Sequence, residues 1–244
     1  MHQNIYISRN IISSTRKNPI LFIPGLAASP LYWKNTSNSA WKQLWVPWDL
    51  LSIKGFGNTR LWKKRVAMKY IKETDTFVEK DTNIETTAWR SPNYVDNEFC
   101  LTDDVGGLSG CTELLSGKNI NDTRGFRFCI QYFQQLNYIE KETLFGIAYD
   151  FRKITCRNYW QQFCQRLINL IEHMYSQNNC TKINVVAHSL GGLIFILFLH
   201  DYPHIMETYI NSFVPVNSPF GGCSQAVDAL LMGYAFNLCP IGPT

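Results

Sequence analysis

The sequence predicts an α/β domain in which a mostly parallel sheet is covered by helices on both faces. From residue 126 onward, short apolar segments alternate with amphipathic helical segments, as is typical of strands buried inside a parallel sheet. The chain has 244 residues, of which 45% are hydrophobic, and this suffices for one large core. No internal repeat or low-complexity linker divides the sequence, so we expect one domain with an insertion.

The elements of this pattern can be placed in chain order. Residues 18–25 (NPILFIPG) form an apolar run that Pro-Gly stops, which predicts a buried strand opening into a loop. The remaining predicted elements are a helix at 126–136, a strand at 143–149, a helix at 159–175, a strand at 182–188, a helix at 191–202 and a strand at 208–218.

An aromatic segment follows the first strand. In AWKQLWVPWDLLS (40–52), Trp41, Trp45 and Trp48 recur at helical spacing, so we expect a helix with one aromatic face. Pro47 should kink or end that helix. Such a face usually packs into a core, but indole rings also favour a membrane interface. Both interpretations stay open at this point.

Residues 55–125 differ in composition from the rest of the chain. They are polar and rich in Gly and Thr, and their only strand candidates are RVAMKYI (65–71) and DTFVEK (75–80). A stretch of this length is unusual for a plain loop. We therefore predict that residues 33–125 form a cap or lid insertion with a membrane contact, within a single domain that spans 1–244.

Composition argues against several classes of function. The formal net charge is only +4 and the basic residues are scattered, so we expect no nucleic-acid partner. The eight cysteines form no C-x-x-C pair, so we expect no metal site and no cofactor. Cys100 and Cys111 bracket a Gly-rich loop and could be bridged or free. The first 20 residues lack the apolar core of a signal peptide.

A serine stands at the junction of a predicted strand and a predicted helix. The run Ala187-His188-Ser189-Leu190-Gly191 fits the small-x-Ser-x-Gly pattern of a nucleophile elbow. Such a turn is tight and strained, so the residues two before and two after the serine must be small. A buried serine with no chemical role is the alternative. The position directly between an apolar strand and an apolar helix favours the nucleophile.

Ester cleavage by a serine needs two N–H donors for the oxyanion. The N–H after the nucleophile, that of Leu190, is the first, at a helix N-terminus that favours negative charge. The second candidate is Leu26 in FIPGLAAS (22–29), since Gly25 lets the chain turn sharply there. An ordinary Pro-Gly turn is the alternative.

Four segments together resemble the lecithin:cholesterol acyltransferase family, which includes phospholipases and phospholipid:diacylglycerol acyltransferases. The resemblance implies an α/β-hydrolase fold, a phospholipid or other lipid ester as substrate, and a covalent acyl-serine intermediate. It also suggests a secreted or lysosomal and endomembrane location. The four segments are PILFIPGLAASPL (19–31), AYDFR (148–152), VVAHSLGG (185–192) and NSPFGG (217–222).

What the resemblance implies can be carried over residue by residue. Ser189 is the expected nucleophile of a lipid O-acyltransferase or phospholipase, and Leu26 and Leu190 are the expected oxyanion donors. The family's membrane-contacting element falls near the aromatic segment described above. Asp150 in AYDFR precedes the serine in the sequence, and we expect it to pair with Arg152 or to cap a turn, in preference to acting as the triad acid.

The triad is where the sequence departs from the family. The family's acid and histidine follow the elbow, and the candidates after Ser189 include His200, Asp201 and His204. At about 1.5 Å per helical residue, His200 lies about three turns from the serine, too far for a hydrogen bond. We therefore expect no triad Asp or His in this chain. We interpret it as an incomplete α/β-hydrolase domain, the N-terminal part of a longer enzyme, weakly active or inactive by itself.

Two other functions are compatible with these features. One is a catalytically dead lipid- or membrane-binding module that keeps the hydrolase scaffold but lacks the base. The other is an esterase for small soluble esters, which would act without a lipid surface.

Overall fold

A computed structural model describes residues 17–36, 41–45, 59–88, 106–112 and 125–232 of the chain. The strands are β1 (Ile20–Ile23), β2 (Leu31–Asn35), β3 (Lys42–Trp45), β4 (Met68–Ile71), β5 (Thr76–Glu79), β6 (Ile84–Thr87), β7 (Leu144–Gly146), β8 (Ile183–His188) and β9 (Ile210–Val216). The helices are α1 (Thr59–Val66), α2 (Ser109–Thr112), α3 (Arg127–Gln135), α4 (Arg157–Gln177), α5 (Leu190–Asp201), α6 (His204–Tyr209) and α7 (Ser224–Met232).

Four parallel strands form the main sheet, in the order β7-β1-β8-β9. In the register of this sheet, Leu21 of β1 lies between Phe145 of β7 and Val185 of β8. All three side chains are fully buried. Parallel neighbours need crossover connections, and α4 leads into β8 while α5 and α6 lead into β9. The predicted parallel sheet is therefore confirmed.

Helices cover both faces of this sheet, as predicted. Successive side chains of a strand point to opposite faces, and β1 shows this directly. Ile20 and Phe22 pack in one cluster with Ile130 of α3. Leu21 and Ile23 pack in a second cluster with apolar side chains of α4 and α5. The described part of the chain is a mixed α/β structure, consistent with the α/β-hydrolase-like fold that the resemblance implies.

The segment between β1 and α3 contains smaller antiparallel sheets. β2 pairs with both β3 and β6, and β4 pairs with β5 as a hairpin. The two short strand candidates of the sequence coincide with β4 and β5. The predicted aromatic helix is wrong at Lys42–Trp45, which form strand β3 with Leu44 buried. Pairing with β2 outweighs the local helical spacing of the tryptophans.

A buried ion pair links the main sheet to the segment between β1 and α3. Asp150, just after β7, accepts hydrogen bonds from Arg152 Nε at 2.9 Å and Nη2 at 2.6 Å. Arg152 also donates to the carbonyl of Val66 at 3.1 Å and to the hydroxyl of Thr86 at 2.7 Å. The expected pairing of Asp150 with Arg152 is confirmed. Through Arg152, this ion pair also contacts Val66 and Thr86, which lie in two separate parts of the segment between β1 and α3.

The same contact continues through Lys153. Its ammonium group contacts the carboxylate of Glu79, which also accepts a hydrogen bond from the Thr86 hydroxyl. Burial alone would raise the pKa of Glu79, but the Lys153 charge and these hydrogen bonds outweigh burial and hold the pKa below its ordinary value. Charged side chains that form ion pairs and hydrogen bonds with one another therefore join the main sheet to the segment between β1 and α3.

Candidate active site

The carboxyl ends of the main strands bring several loops to one edge of the sheet. Ile23 at the end of β1 lies opposite Ala187 of β8, which lies opposite Pro215 of β9. The loop that begins at Pro24 and the turn at Ser189 therefore start side by side. Ligand sites of α/β sheets lie at this edge.

Ser189 occupies a strained turn between β8 and α5. Its backbone has φ 51° and ψ −122°, in the half of φ space that residues other than glycine rarely adopt. Its N–H donates to the carbonyl of Val216 at 2.9 Å, which ties the turn to β9. The side chain makes no capping hydrogen bond to α5, and the residue is half-buried. The hydroxyl thus stands at the helix N-terminus without a capping role.

The small residues of the predicted elbow have a steric reason. A Cβ on Gly191 would lie 2.5 Å from the carbonyl oxygen of Pro24 and 2.6 Å from that of Ile23. Ala187 is fully buried between Ile23 and Pro215. A larger side chain at either position would push α5 away from β1.

The loop after β1 packs directly against the serine. A Cβ on Gly25 would lie 2.9 Å from His188 Nδ1 and 3.0 Å from Ser189 Cβ, so a larger residue would force one of these groups to shift. The N–H of Ala28 donates to the Gly25 carbonyl at 3.2 Å and closes a turn around Leu26. The structure therefore places the Leu26 loop beside the serine.

The two predicted oxyanion donors have different surroundings. Leu190 is the first residue of α5, and the first N–H groups of a helix lack intrahelical acceptors. Leu26 lies at the tip of the turn, with 45% of its surface exposed. Their convergence on a single oxyanion remains a prediction.

The described histidines do not reach the serine. His188 precedes Ser189 in β8, and partial burial lowers its pKa below the ordinary value. His200 lies at the far end of α5 with its side chain 81% exposed, and its Nδ1 is 3.2 Å from Asp201 Oδ1. His204 is exposed at the start of α6. In the ranges that the structure covers, none of these rings has a hydrogen bond to Ser189, and the expected lack of a triad histidine stays a prediction.

The loop after β9 closes the other side of the turn. A Cβ on Gly192 would lie only 2.0 Å from Ser218 Oγ, so the NSPFGG segment packs against the first turn of α5. The Ser218 hydroxyl is buried, with no hydrogen-bond partner within the described structure. From the sequence, SPFGG (218–222) is expected to shape the loop that faces the serine or to be a turn that ends a strand, and the two roles are compatible.

The tryptophans of the aromatic segment have separate environments. The indole Nε1 of Trp45 donates to the carbonyl of Ala27 at 2.8 Å. Trp41 is half-buried, and the Lys34 ammonium lies 4.9 Å from its ring centroid. Trp48 lies outside the described residues. Membrane contact through these three tryptophans stays a prediction.

Cys111 carries a free thiol. Its Sγ donates to the Phe22 carbonyl at 3.6 Å, and burial raises its pKa to about 12. Of the two states that the sequence left open, the structure has the unbridged one at Cys111, while Cys100 lies outside the described residues. Within the described ranges, no group of three or more His, Cys, Asp or Glu could hold a metal ion, and no helix is long and apolar enough to cross a membrane.

Comparison with known proteins identifies relatives. Over 243 residues the chain is 24% identical to Lecithin-cholesterol acyltransferase-like 4 of Arabidopsis thaliana, covering 96% of the chain and 39% of that protein. Over 221 residues it is 24% identical to Phospholipase A(1) LCAT3 of the same plant, covering 90% and 45%. It is 30% identical over 107 residues to Lysosomal phospholipase A and acyltransferase of Mus musculus, covering 43% and 25%.

The chain spans about two fifths of the length of the two plant relatives. The sequence model of the family described as Lecithin:cholesterol acyltransferase matches residues 62–243, which include β8, Ser189 and α5. This match confirms the resemblance drawn from the four sequence segments. The chain belongs to the lecithin:cholesterol acyltransferase family.

Proposed function

We propose that Ser189 is the nucleophile of a lipid O-acyltransferase or phospholipase that works through a covalent acyl-serine. The observation that carries this proposal is the strained position of Ser189 at the carboxyl end of β8, packed against Gly25. The relatives support the reaction class, since their names include a phospholipase and an acyltransferase.

The proposed reaction has two steps. Ser189 Oγ loses its proton to a base and attacks the ester carbonyl carbon of a lipid, and the carbonyl oxygen becomes an oxyanion. The N–H groups of Leu26 and Leu190 stabilise that charge. The intermediate then expels the alcohol of the lipid, which takes up a proton, and leaves the acyl group on Ser189. Water or a lipid alcohol resolves this ester.

The proposed mechanism needs a general base, and the described residues include no histidine that is hydrogen-bonded to Ser189. A serine hydroxyl with no adjacent base is a poor nucleophile at neutral pH. Because His200 lies at the far end of α5, His204 lies in α6 and His188 makes no hydrogen bond to the serine, we propose that the chain by itself reacts slowly. Its rate would then come from the oxyanion donors and binding alone.

We also propose that residues 33–125 are the cap insertion of a single domain spanning 1–244. The antiparallel sheets within this range support the proposal, because they differ from the parallel main sheet. Membrane contact would involve Trp41, Trp45 and Trp48 of the aromatic segment, with the indole N–H of Trp45 bonded to the Ala27 carbonyl.

A catalytically dead lipid-binding module is the second candidate function. It is favoured by the lack of any hydrogen bond between Ser189 and a histidine among the described residues. Such a module would keep the pocket and the family scaffold but would form no acyl-serine.

Labelling with a fluorophosphonate separates the two candidates. We expect slow, stoichiometric labelling of the chain that disappears in Ser189→Ala and persists in Ser176→Ala, an exposed serine of α4. Mass spectrometry of the intact protein measures the rate. An unlabelled protein that still binds phosphatidylcholine vesicles would favour the module instead.

The pH dependence of the labelling rate reports on the base. Without a histidine base, hydroxide must remove the serine proton, so we expect the rate to keep rising about tenfold per pH unit between about pH 7 and 9. A plateau beginning near or below about pH 6.5 would identify a histidine base. Because burial lowers the pKa of His188, that residue would be the first to replace in that case, as His188→Gln.

A further inference from the structure

The loop from Pro24 to Ser29, which carries the proposed oxyanion donor Leu26, is held by side chains from outside it. We propose that Tyr149 and Trp45 are positioning residues that fix the pose of this loop beside Ser189. The inference rests on the proposed function, because it concerns the same oxyanion.

Tyr149 holds the loop at both of its ends. Its hydroxyl donates to the Pro24 carbonyl at 2.9 Å, and its main-chain N–H donates to Ser29 Oγ at 3.3 Å. The side chain is fully buried, and its ring packs edge-on against Phe163 with centroids 5.9 Å apart. Burial raises the pKa of Tyr149, so the hydroxyl stays protonated and remains a donor.

The Pro24 carbonyl is also where the loop meets the elbow. The same oxygen that accepts the Tyr149 bond would lie 2.5 Å from a Cβ on Gly191. Pro24 is therefore held between the Tyr149 hydroxyl and the first turn of α5. A shift of this carbonyl changes the distance between the loop and Ser189.

Trp45 holds the middle of the loop. Its indole donates to the Ala27 carbonyl at 2.8 Å, and its ring lies edge-on to Phe151 with centroids 5.5 Å apart. Ala27 has a backbone φ of 57°, which is strained for alanine. The bond thus stabilises a conformation that the loop does not favour by itself, at the residue after Leu26.

The loop needs such support because it has little internal structure. Its internal backbone hydrogen bond in the described structure runs from Ala28 to Gly25. An oxyanion donor contributes to the rate only when it points where the charge develops. Bonds to Pro24 and Ala27, on either side of Leu26, would hold that N–H in place before substrate arrives.

The test removes each donor while keeping an aromatic ring at each position, although Trp45→Phe also replaces the indole with a smaller phenyl ring. Tyr149→Phe deletes the hydroxyl, and Tyr159→Phe is its matched control, since Tyr159 Oη accepts a hydrogen bond from the Asp150 N–H at 2.6 Å. Trp45→Phe deletes the indole N–H, and Trp160→Phe is the control, since that indole donates to Asp201. Full-length variants are compared by fluorophosphonate labelling and by hydrogen exchange of peptides covering residues 24–29.

We expect the maximal labelling rate to fall about tenfold in Tyr149→Phe and in Trp45→Phe, with the half-saturating probe concentration unchanged. Exchange of the loop should rise in the same two variants. The two controls should leave both quantities near those of the unaltered chain. If the two side chains acted only through overall stability, the variants would have a lower melting temperature. The maximal labelling rate would then not fall while the half-saturating probe concentration stays unchanged.

Several outcomes would overturn the inference. One is an unchanged loop exchange in both variants, and another is an equal loss of labelling rate in Tyr149→Phe and Tyr159→Phe. If Tyr149→Phe does not fold, the loop exchange and labelling rate of Trp45→Phe decide whether the inference holds. A chain that the probe never labels at Ser189, but whose loop exchange still rises in Tyr149→Phe, would reject the nucleophile and leave the two side chains as structural contacts only.

Discussion

Ser189 keeps its left-handed backbone conformation because its surroundings leave room for it. Gly191 allows α5 to lie against the carbonyl oxygens at the end of β1, and Gly25 allows the next loop to touch the serine. Each contact involves backbone or Cβ atoms, which cannot move aside as the tip of a flexible side chain can. The geometry of the turn therefore depends on the absence of a Cβ atom at Gly25 and at Gly191.

Gly191→Ala should destabilise the protein by about 1–3 kcal/mol, because the added Cβ collides with two backbone oxygens. This loss should appear even though alanine is favoured over glycine within a helix by about 1 kcal/mol. Gly221→Ala is the matched control, since no atom lies within 4 Å of its would-be Cβ, and it should change stability by less than about 0.5 kcal/mol. Urea unfolding followed by circular dichroism measures both. Equal stability of the two variants would contradict the steric argument.

The charged side chains after β7 hold separate secondary structure elements together, a role that apolar packing has elsewhere in the fold. The guanidinium of Arg152 joins Asp150 to the end of α1 and to β6. The side chains of Asp150 and Arg152 are 1% and 6% exposed, so neither charge is solvated by water. A buried pair adds little net stability, but removing one partner leaves the other charge uncompensated.

Arg152→Met should therefore cost about 3–5 kcal/mol of unfolding free energy, since the Asp150 carboxylate loses its partner. The double variant Asp150→Asn/Arg152→Met should recover part of the loss. Lys34→Met breaks the more exposed pair with Glu85, whose side chain is 53% exposed, and should cost less than about 1 kcal/mol. Chemical unfolding of the three variants is the measurement. A similar cost for Arg152→Met and Lys34→Met would show that the buried pair has no special role.

Across the described part of the molecule, apolar side chains are exposed at one end of the main sheet. Among the described strands, β9 is at the edge of that sheet, and its Val214 and Val216 are 47% and 41% exposed. On the neighbouring helix α5, Ile196 and Leu197 are 46% and 51% exposed, although a helix that is apolar on all sides is usually buried. Phe213 of β9 packs with α5, so Val214 and Val216 point to the opposite face of the sheet. Apolar surface is therefore exposed on both faces beside β9, although parallel sheets are normally covered.

This surface should make the isolated chain self-associate at micromolar concentrations, since large exposed apolar patches and open strand edges promote association. The double substitution Val214→Lys/Leu197→Lys should shift the protein toward the monomer in sedimentation velocity. Val78→Lys, on the β4–β5 hairpin with 39% of the valine exposed, should leave association unchanged. A monomeric unaltered chain, or an equal shift with Val78→Lys, would show that the β9 side is not responsible.

The sequence pattern predicted an element correctly where the whole pattern lies within a single segment. The buried strands β7 and β8 and the long helix α4 agree with the predicted elements, because their periodicity arises within each segment. The aromatic segment failed for the opposite reason. Spacing alone favours a helix there, but the backbone of Lys42–Trp45 is paired with β2, and no property of the segment itself predicts that partner.

The sequence by itself determined the order of strands and helices from α3 to α5, the family, and the serine at a strand–helix junction flanked by small residues. These follow from side-chain size and hydrophobic periodicity, which act over a few neighbouring positions. Only the tertiary structure decided what holds the site together. Tyr149 reaches Pro24 across 125 residues of chain, and Trp45 reaches Ala27 from a separate strand, because hydrogen-bond partners are set by which loops the folded sheet brings to one edge.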